Sequence, residues 1–225
     1  MNKIENYDLV FFDFDGLLVN TEHLHFSAYQ EMCLSRGKQL NWDFTKYCLV
    51  AHGSSEGLRK EIYADFPDLY EKEPDWSVLY AEKKLAYQKK LQEGHVELMP
   101  GVDKMLVLLK EKGIRSCVVT NSFFEQIAEI RSQIPLLQTL DNWITREDYQ
   151  LSKPAPDPYI AARKKYARPG DKIVGFEDSV RGWQSLDAAG IEGIVISSCL
   201  HSSFQEQLIE KNVVQFSSFN EFLLS

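Results

Sequence analysis

From Val102 onward the sequence alternates between two hydrophobic patterns, and that alternation constrains the fold more than any other feature. Val102, Met105, Leu106 and Leu109 recur at helical spacing and stop at Gly113, and Ile114 to Val119 then reads as a short β-prone run. The pattern repeats: a helix over Phe123 to Gln133, a helix near Ala155 to Ala167, and a strand over Lys172 to Phe176. A helix over Val180 to Ala189 capped by Gly190, a strand over Gly193 to Ile196, and a short last strand over Val213 to Phe216 complete it. Near the N-terminus Asp8 to Phe12 is β-prone without polar alternation, as suits a strand buried on both faces. Repeated strand–helix units imply a mostly parallel sheet with helices on both faces, so the fold class predicted is α/β, a doubly wound, mostly parallel Rossmann-like sheet.

Between the first strand and this alternating region the text is helical. A helix runs from Thr21 to Arg36 before Gly37, and DWSVLYAEKKLAYQKKLQEG places Val78, Leu79, Leu85 and Leu91 among many charges. The expected organisation is an α/β catalytic core of residues 1–17 and 96–225, interrupted by an α-helical cap of residues 18–95. The insertion departs just after the first strand, where such sheets place their ligand crevice, so it is suited to act as a lid.

Charge narrows the partners. The net charge is −8 with no long basic run, which argues against nucleic acid, whose phosphates need clustered cations. The four cysteines (Cys33, Cys48, Cys117, Cys199) lack CxxC spacing and read as ordinary thiols of a reducing compartment. The N-terminal apolar run is broken by Asp13 and is too short for a signal peptide or membrane span. A cytoplasmic monomer without membrane or nucleic-acid partners is the expectation.

Four blocks at predicted strand and helix ends carry the chemistry. Asp13-Phe14-Asp15-Gly16 follows the first strand, and two carboxylates so close invite a cation or a proton between them; an acidic turn is the bland alternative. Thr120-Asn121-Ser122 joins a strand to a helix, either as a phosphate cradle or with Ser122 as a helix cap. Ser152-Lys153-Pro154-Ala155-Pro156-Asp157-Pro158 presents Lys153 from a stiff, proline-rich helix entry. Glu177-Asp178-Ser179 ends another strand, where acids suit either a helix dipole or a magnesium site built on oxygen ligands.

Together, DFDGLLVNTE, VVTNS, SKPAPDPY and GFEDSVRG resemble the four signature motifs of the haloacid dehalogenase-like superfamily, in its phosphatase and phosphoglucomutase branch with a helical cap. The resemblance implies a phosphoric monoester hydrolase that is Mg2+-dependent and acts on a small phosphorylated metabolite such as a sugar phosphate. It implies that Asp13 is the nucleophile, forming an aspartyl-phosphate, and that Asp15 is the general acid and then base. It implies phosphate binding by Thr120, Asn121 and Lys153, and metal binding by Asp13, Asp15 (through its carbonyl), Asp178 and Glu177, the last as ligand or neighbouring acceptor.

The sequence departs from that pattern in places. Asn20 stands where Asp is common. His25 matches a cap-side histidine of the sugar phosphomutases, whereas Ser54 stands where those enzymes carry an arginine for a second phosphate, with Arg59 one turn further on. The rivals are a β-phosphoglucomutase-like mutase, a dehalogenase, which has no use for Asp15 or the Glu177-Asp178 pair, and a non-catalytic binding module. No GxGxxG follows a strand, so dinucleotide binding is not supported.

Overall fold

A computed structural model describes residues 3–53, 55–94, 96–198, 200 and 202–225. Ser54 and Cys199 therefore lie outside the described residues. The chain separates into two compact units, Met1–Asn20 with Val96–Ser225, and Thr21–His95.

Along the chain, β1 (Leu9–Phe12) is followed by five helices: α1 (Glu22–Ser35), α2 (Phe44–Gly53), α3 (Ser55–Asp65), α4 (Pro67–Lys72) and α5 (Trp76–Gln92). Then come α6 (Val102–Lys112), β2 (Arg115–Val119), α7 (Phe124–Gln133), β3 (Trp143–Ile144) and α8 (Asp157–Tyr166). The chain ends with β4 (Ile173–Glu177), α9 (Val180–Ala188), β5 (Glu192–Ile196), α10 (Ser202–Glu210), β6 (Val214–Phe216) and α11 (Phe219–Leu224).

The sheet order is β3-β2-β1-β4-β5-β6, and every pairing is parallel. From β1 the chain winds outward through β2 and β3, then returns to β4 on the other side of β1. That reversal leaves a crevice beyond the carboxyl ends of β1 and β4, the place where open α/β sheets hold ligands. Register fixes what reaches it. Phe12 pairs with both Val118 and Phe176, so Asp13 emerges level with the ends of β2 and β4.

All of β1 is buried because both its faces are covered. Leu9 and Phe11 join Cys117, Val119, Ile144, Tyr159 and Leu186 on one side. On the other, Phe12 stacks on Phe176 at 5.4 Å, and Phe219 and Phe222 of α11 close over them. Successive strand residues face opposite ways, so one uninterrupted apolar run serves two cores.

Three elements depart from the sequence expectation. Helix α8 starts at Asp157 and not near Ala155, because Pro156 occupies its N-cap and the prolines before it form turns. Strand β3 has only two residues, too few to leave a hydrophobic period. Helices α10 and α11 complete the C-terminal region, where the sequence reading placed one strand.

Residues 18–20 belong with the sheet unit. Met99 N donates to Leu18 O at 3.0 Å and Asn20 N to Glu97 O at 2.8 Å, so the outgoing and returning segments are bonded side by side.

In the helical unit α1 packs on α5, and Leu24, Ala28 and Met32 of the first and Leu79, Tyr87 and Leu91 of the second are buried. Lys83 shares that buried stripe, and its ammonium lies 2.6 Å from His25 Nδ1. His25 also stacks flat on Tyr87 at 4.1 Å. Burial first, and the Lys83 charge second, push His25 down to about 3, so its ring is neutral and accepts at Nδ1. Among the described residues no helix is long and apolar enough to cross a membrane.

Candidate active site

Strand β1 delivers Asp13 to the crevice, where its amide donates to Phe176 O at 3.0 Å and its side chain is buried. Gly16, at φ 80°, then turns the chain sharply, in a left-handed conformation that glycine adopts without strain. This turn places the Asp15 carboxylate against the segment after β2. Ser122 Oγ donates to Asp15 Oδ2 at 2.5 Å, and Thr120 Oγ1 approaches the same oxygen at 3.4 Å.

Ser122 is thus occupied with Asp15 and not with a helix end. The N-cap of α7 is Phe123, which has no capping side chain, and Glu147 and Gln126 bond the first amides instead. Thr120 Oγ1 accepts from Ser122 N at 2.9 Å, which tightens the loop. Asn121 points back into the protein: its Oδ1 accepts from Lys153 N at 3.3 Å and lies 2.8 Å from Tyr149 Oη. Its side chain is therefore a brace between two loops.

Lys153 is the hub. Its ammonium donates to Asp13 Oδ1 at 2.5 Å, to Glu177 Oε1 at 2.6 Å and to Val119 O at 2.7 Å. An ammonium has three N–H groups, and these contacts use all of them. Burial works against its charge, but Asp13 and Glu177 outweigh it and hold the lysine protonated.

Glu177, at the end of β4, is completely buried. Its Oε1 accepts from both Lys153 and the Tyr159 hydroxyl, whereas its Oε2 has no partner among the described residues. Burial raises this carboxyl to about 7, and the Asp13 charge adds to the effect. A β-carbon on Gly182 would fall 1.8 Å from Oε2, so the acid fits only because α9 carries glycine there.

Asp13, Glu177 and Asp178 each offer a carboxylate oxygen within 4.8 Å of the others, and all three are buried. Asp13 and Glu177 share the one lysine, and among the described residues Glu177 Oε2 is left without a donor. All-oxygen donors of excess negative charge suit a hard divalent cation such as Mg2+. The carboxylate of Asp15 is not part of this group, being turned toward Ser122 and Thr120.

Residues 10–196 match the family model described as haloacid dehalogenase-like hydrolase. The chain belongs to the haloacid dehalogenase-like hydrolase family. Among curated relatives, a phosphorylated carbohydrates phosphatase of Thermotoga maritima is 28% identical over 191 residues, covering 83% of each chain. Hexitol phosphatase B of Escherichia coli is 27% identical over 189 residues, covering 82% of this chain and 81% of its own. A solved hydrolase of the family from Entamoeba histolytica superposes with a TM-score of 0.71 at 26% identity, covering 95% of this chain and 94% of that one.

The structure therefore brings together Asp13, Lys153, Glu177 and Asp178, and separately Asp15 with Thr120 and Ser122. Sequence reasoning missed Tyr149 and Tyr159, whose hydroxyls brace these groups. A tyrosine on a helix or loop reads as core, and the only sign of more was that Tyr159 closes the SKPAPDPY block.

Proposed function

We propose that this enzyme is a Mg2+-dependent phosphatase that hydrolyses a small phosphate monoester, a sugar phosphate or similar metabolite, through an aspartyl-phosphate on Asp13. The observation that supports it best is the Asp13–Lys153–Glu177 chain, a buried carboxylate held by a buried, saturated ammonium. An anionic nucleophile reaches a dianionic ester only where fixed cations offset the repulsion.

Asp13, Glu177 and Asp178, with the Asp15 carbonyl, would hold Mg2+, which supplies the rest of that positive charge. In the first step an Asp13 oxygen forms a bond to phosphorus, the ester P–O bond breaks, and Asp15 protonates the leaving alkoxide. In the second, Asp15 takes a proton from water, the water oxygen bonds phosphorus, and the Asp13–phosphorus bond breaks. Ser122 orients Asp15 for both transfers, while Thr120 turns its single O–H from Asp15 to the phosphoryl group, whose other oxygens the Asn121 amide and Lys153 receive.

A mutase must grip a second phosphate. Arg59 is the cation suggested for that task, but its guanidinium is engaged by Glu56 through two bonds, of 2.9 and 2.5 Å. Hydrolysis is therefore the reading adopted.

The test is phosphate release across small phosphorylated metabolites, with Mg2+ and then with excess chelator. Release is expected to vanish with chelator and return with Mg2+; undiminished release in chelator sinks the metal role. Rapid formation of glucose 6-phosphate from β-glucose 1-phosphate and its 1,6-bisphosphate, with negligible phosphate release, would replace hydrolase by mutase.

A further inference from the structure

The lysine hub carries a difficulty that Tyr159 resolves. If Lys153 is to meet a phosphoryl oxygen, one of its three hydrogen bonds must be given up, since no N–H is spare. The bond to Asp13 joins it to the reacting carboxylate, and the carbonyl of Val119 belongs to strand β2. The bond to Glu177 is the one left to release.

Releasing Glu177 has a cost of its own. Its Oε2 has no hydrogen-bond partner among the described residues and is the oxygen free for the metal, so losing Lys153 would leave Oε1 of a buried carboxylate bare, were there no other donor. Tyr159 supplies that donor. Its hydroxyl bonds the same Oε1 as the lysine, its ring is fully buried against Phe11, and the ammonium lies 5.0 Å from the ring centroid.

We propose that Tyr159 is a positioning residue for phosphoryl binding: by sharing Glu177 Oε1 with Lys153, it lets the ammonium move one N–H from Glu177 to an incoming phosphoryl oxygen. Without the hydroxyl, Glu177 would hold the lysine as its sole donor on that oxygen, and the phosphoryl group would have to compete for it. This rests on the reading of Lys153 as a phosphoryl contact.

Tyr159→Phe keeps the ring and removes only the hydroxyl. Inorganic phosphate binding in the presence of Mg2+, measured by calorimetry, is expected to weaken about tenfold, as the loss of one charge-assisted hydrogen bond implies. KM for a hydrolysed ester should rise more than kcat falls. A purely structural tyrosine would lower the melting temperature and leave phosphate affinity unchanged, and that result overturns the proposal. Mn2+ binding, followed by paramagnetic resonance, separates a third case: loss of metal affinity in proportion to phosphate affinity places the effect at the metal and also overturns it.

A second measurement does not depend on the variant folding. In a crystal structure of the wild-type enzyme with Mg2+ and phosphate, Lys153 Nζ should lie on a phosphate oxygen and off Glu177, with Tyr159 still on Oε1. An ammonium still on Glu177 overturns the proposal, while continued turnover of esters would leave the phosphatase reading standing. A wild-type enzyme that neither binds phosphate nor hydrolyses any ester overturns both.

Discussion

Among the described residues two lysines are sealed inside this protein, one in each unit, and their surroundings differ in kind. Lys153 is 6% exposed and meets two carboxylates and a peptide carbonyl; Lys83 is 4% exposed and meets a neutral imidazole and the faces of Tyr29 and Tyr87. The first arrangement concentrates opposite charges that a reaction can redistribute. The second spreads a cation over aromatic faces and a ring nitrogen, which joins α1 to α5. A buried charge is therefore no sign of chemistry by itself; the sign is the kind of partner it has been given.

Removing each lysine is the sharpest way to break that contrast. Lys153→Met leaves Asp13 and Glu177 as buried carboxylates without their cation, and breaking a buried pair from one side costs about 3–5 kcal/mol. Denaturant unfolding should show that loss, and phosphate release should fall at least about a hundredfold, the scale for losing one donor to developing charge. An active Lys153→Met enzyme would remove the hub from the mechanism. Gly182→Ala comes next. Its methyl would collide with Glu177 Oε2, so destabilisation of about 1–3 kcal/mol by overpacking is expected together with impaired turnover. Wild-type stability and rate would show that the glutamate moves aside freely.

Lys83→Met should cost less, about 1–2 kcal/mol for the neutral acceptor on His25 that loses this donor. A loss as large as that of Lys153→Met would erase the distinction drawn here. The last effect is one of pH. His25 titrates near 6.5 when unfolded and is pushed down to about 3 in the fold, so between these values the unfolded chain binds a proton that the native one refuses. Stability from this group is complete above 6.5 and falls as pH drops toward 3, by at most about 1.4 kcal/mol per pH unit. His25→Asn should flatten that part of the unfolding profile; an unchanged slope would mean the ring takes up a proton within the fold.

The sequence made the sheet and its charged edge readable for one reason. Strands such as Leu9–Phe12 and Arg115–Val119 are long enough to have a pattern, and the residues that end them are ionic. Asp13, Lys153, Glu177 and Asp178 were visible as unusual residues at element ends before any geometry was known. Strand β3, at two residues, had no period to detect. The hydroxyls of Tyr149 and Tyr159 were hidden by their rings, which satisfy every rule for a core residue while the oxygen does something else. Ser122 was visible, but its attachment to Asp15 was not, because that contact joins residues 107 positions apart.

The paired crossing of Leu18–Asn20 and Glu97–Met99 gives the sheet an unexpected independence. Seen from the strands, everything between Asn20 and Glu97 is a hairpin whose two legs are already bonded at the base. Loop-closure entropy grows only with the logarithm of length, so what hangs from that base can be lengthened, shortened or exchanged with little consequence for the strands below. The crossing is thus a doorway that can receive a different guest while the strand ends bearing Asp13 and Glu177 keep their register.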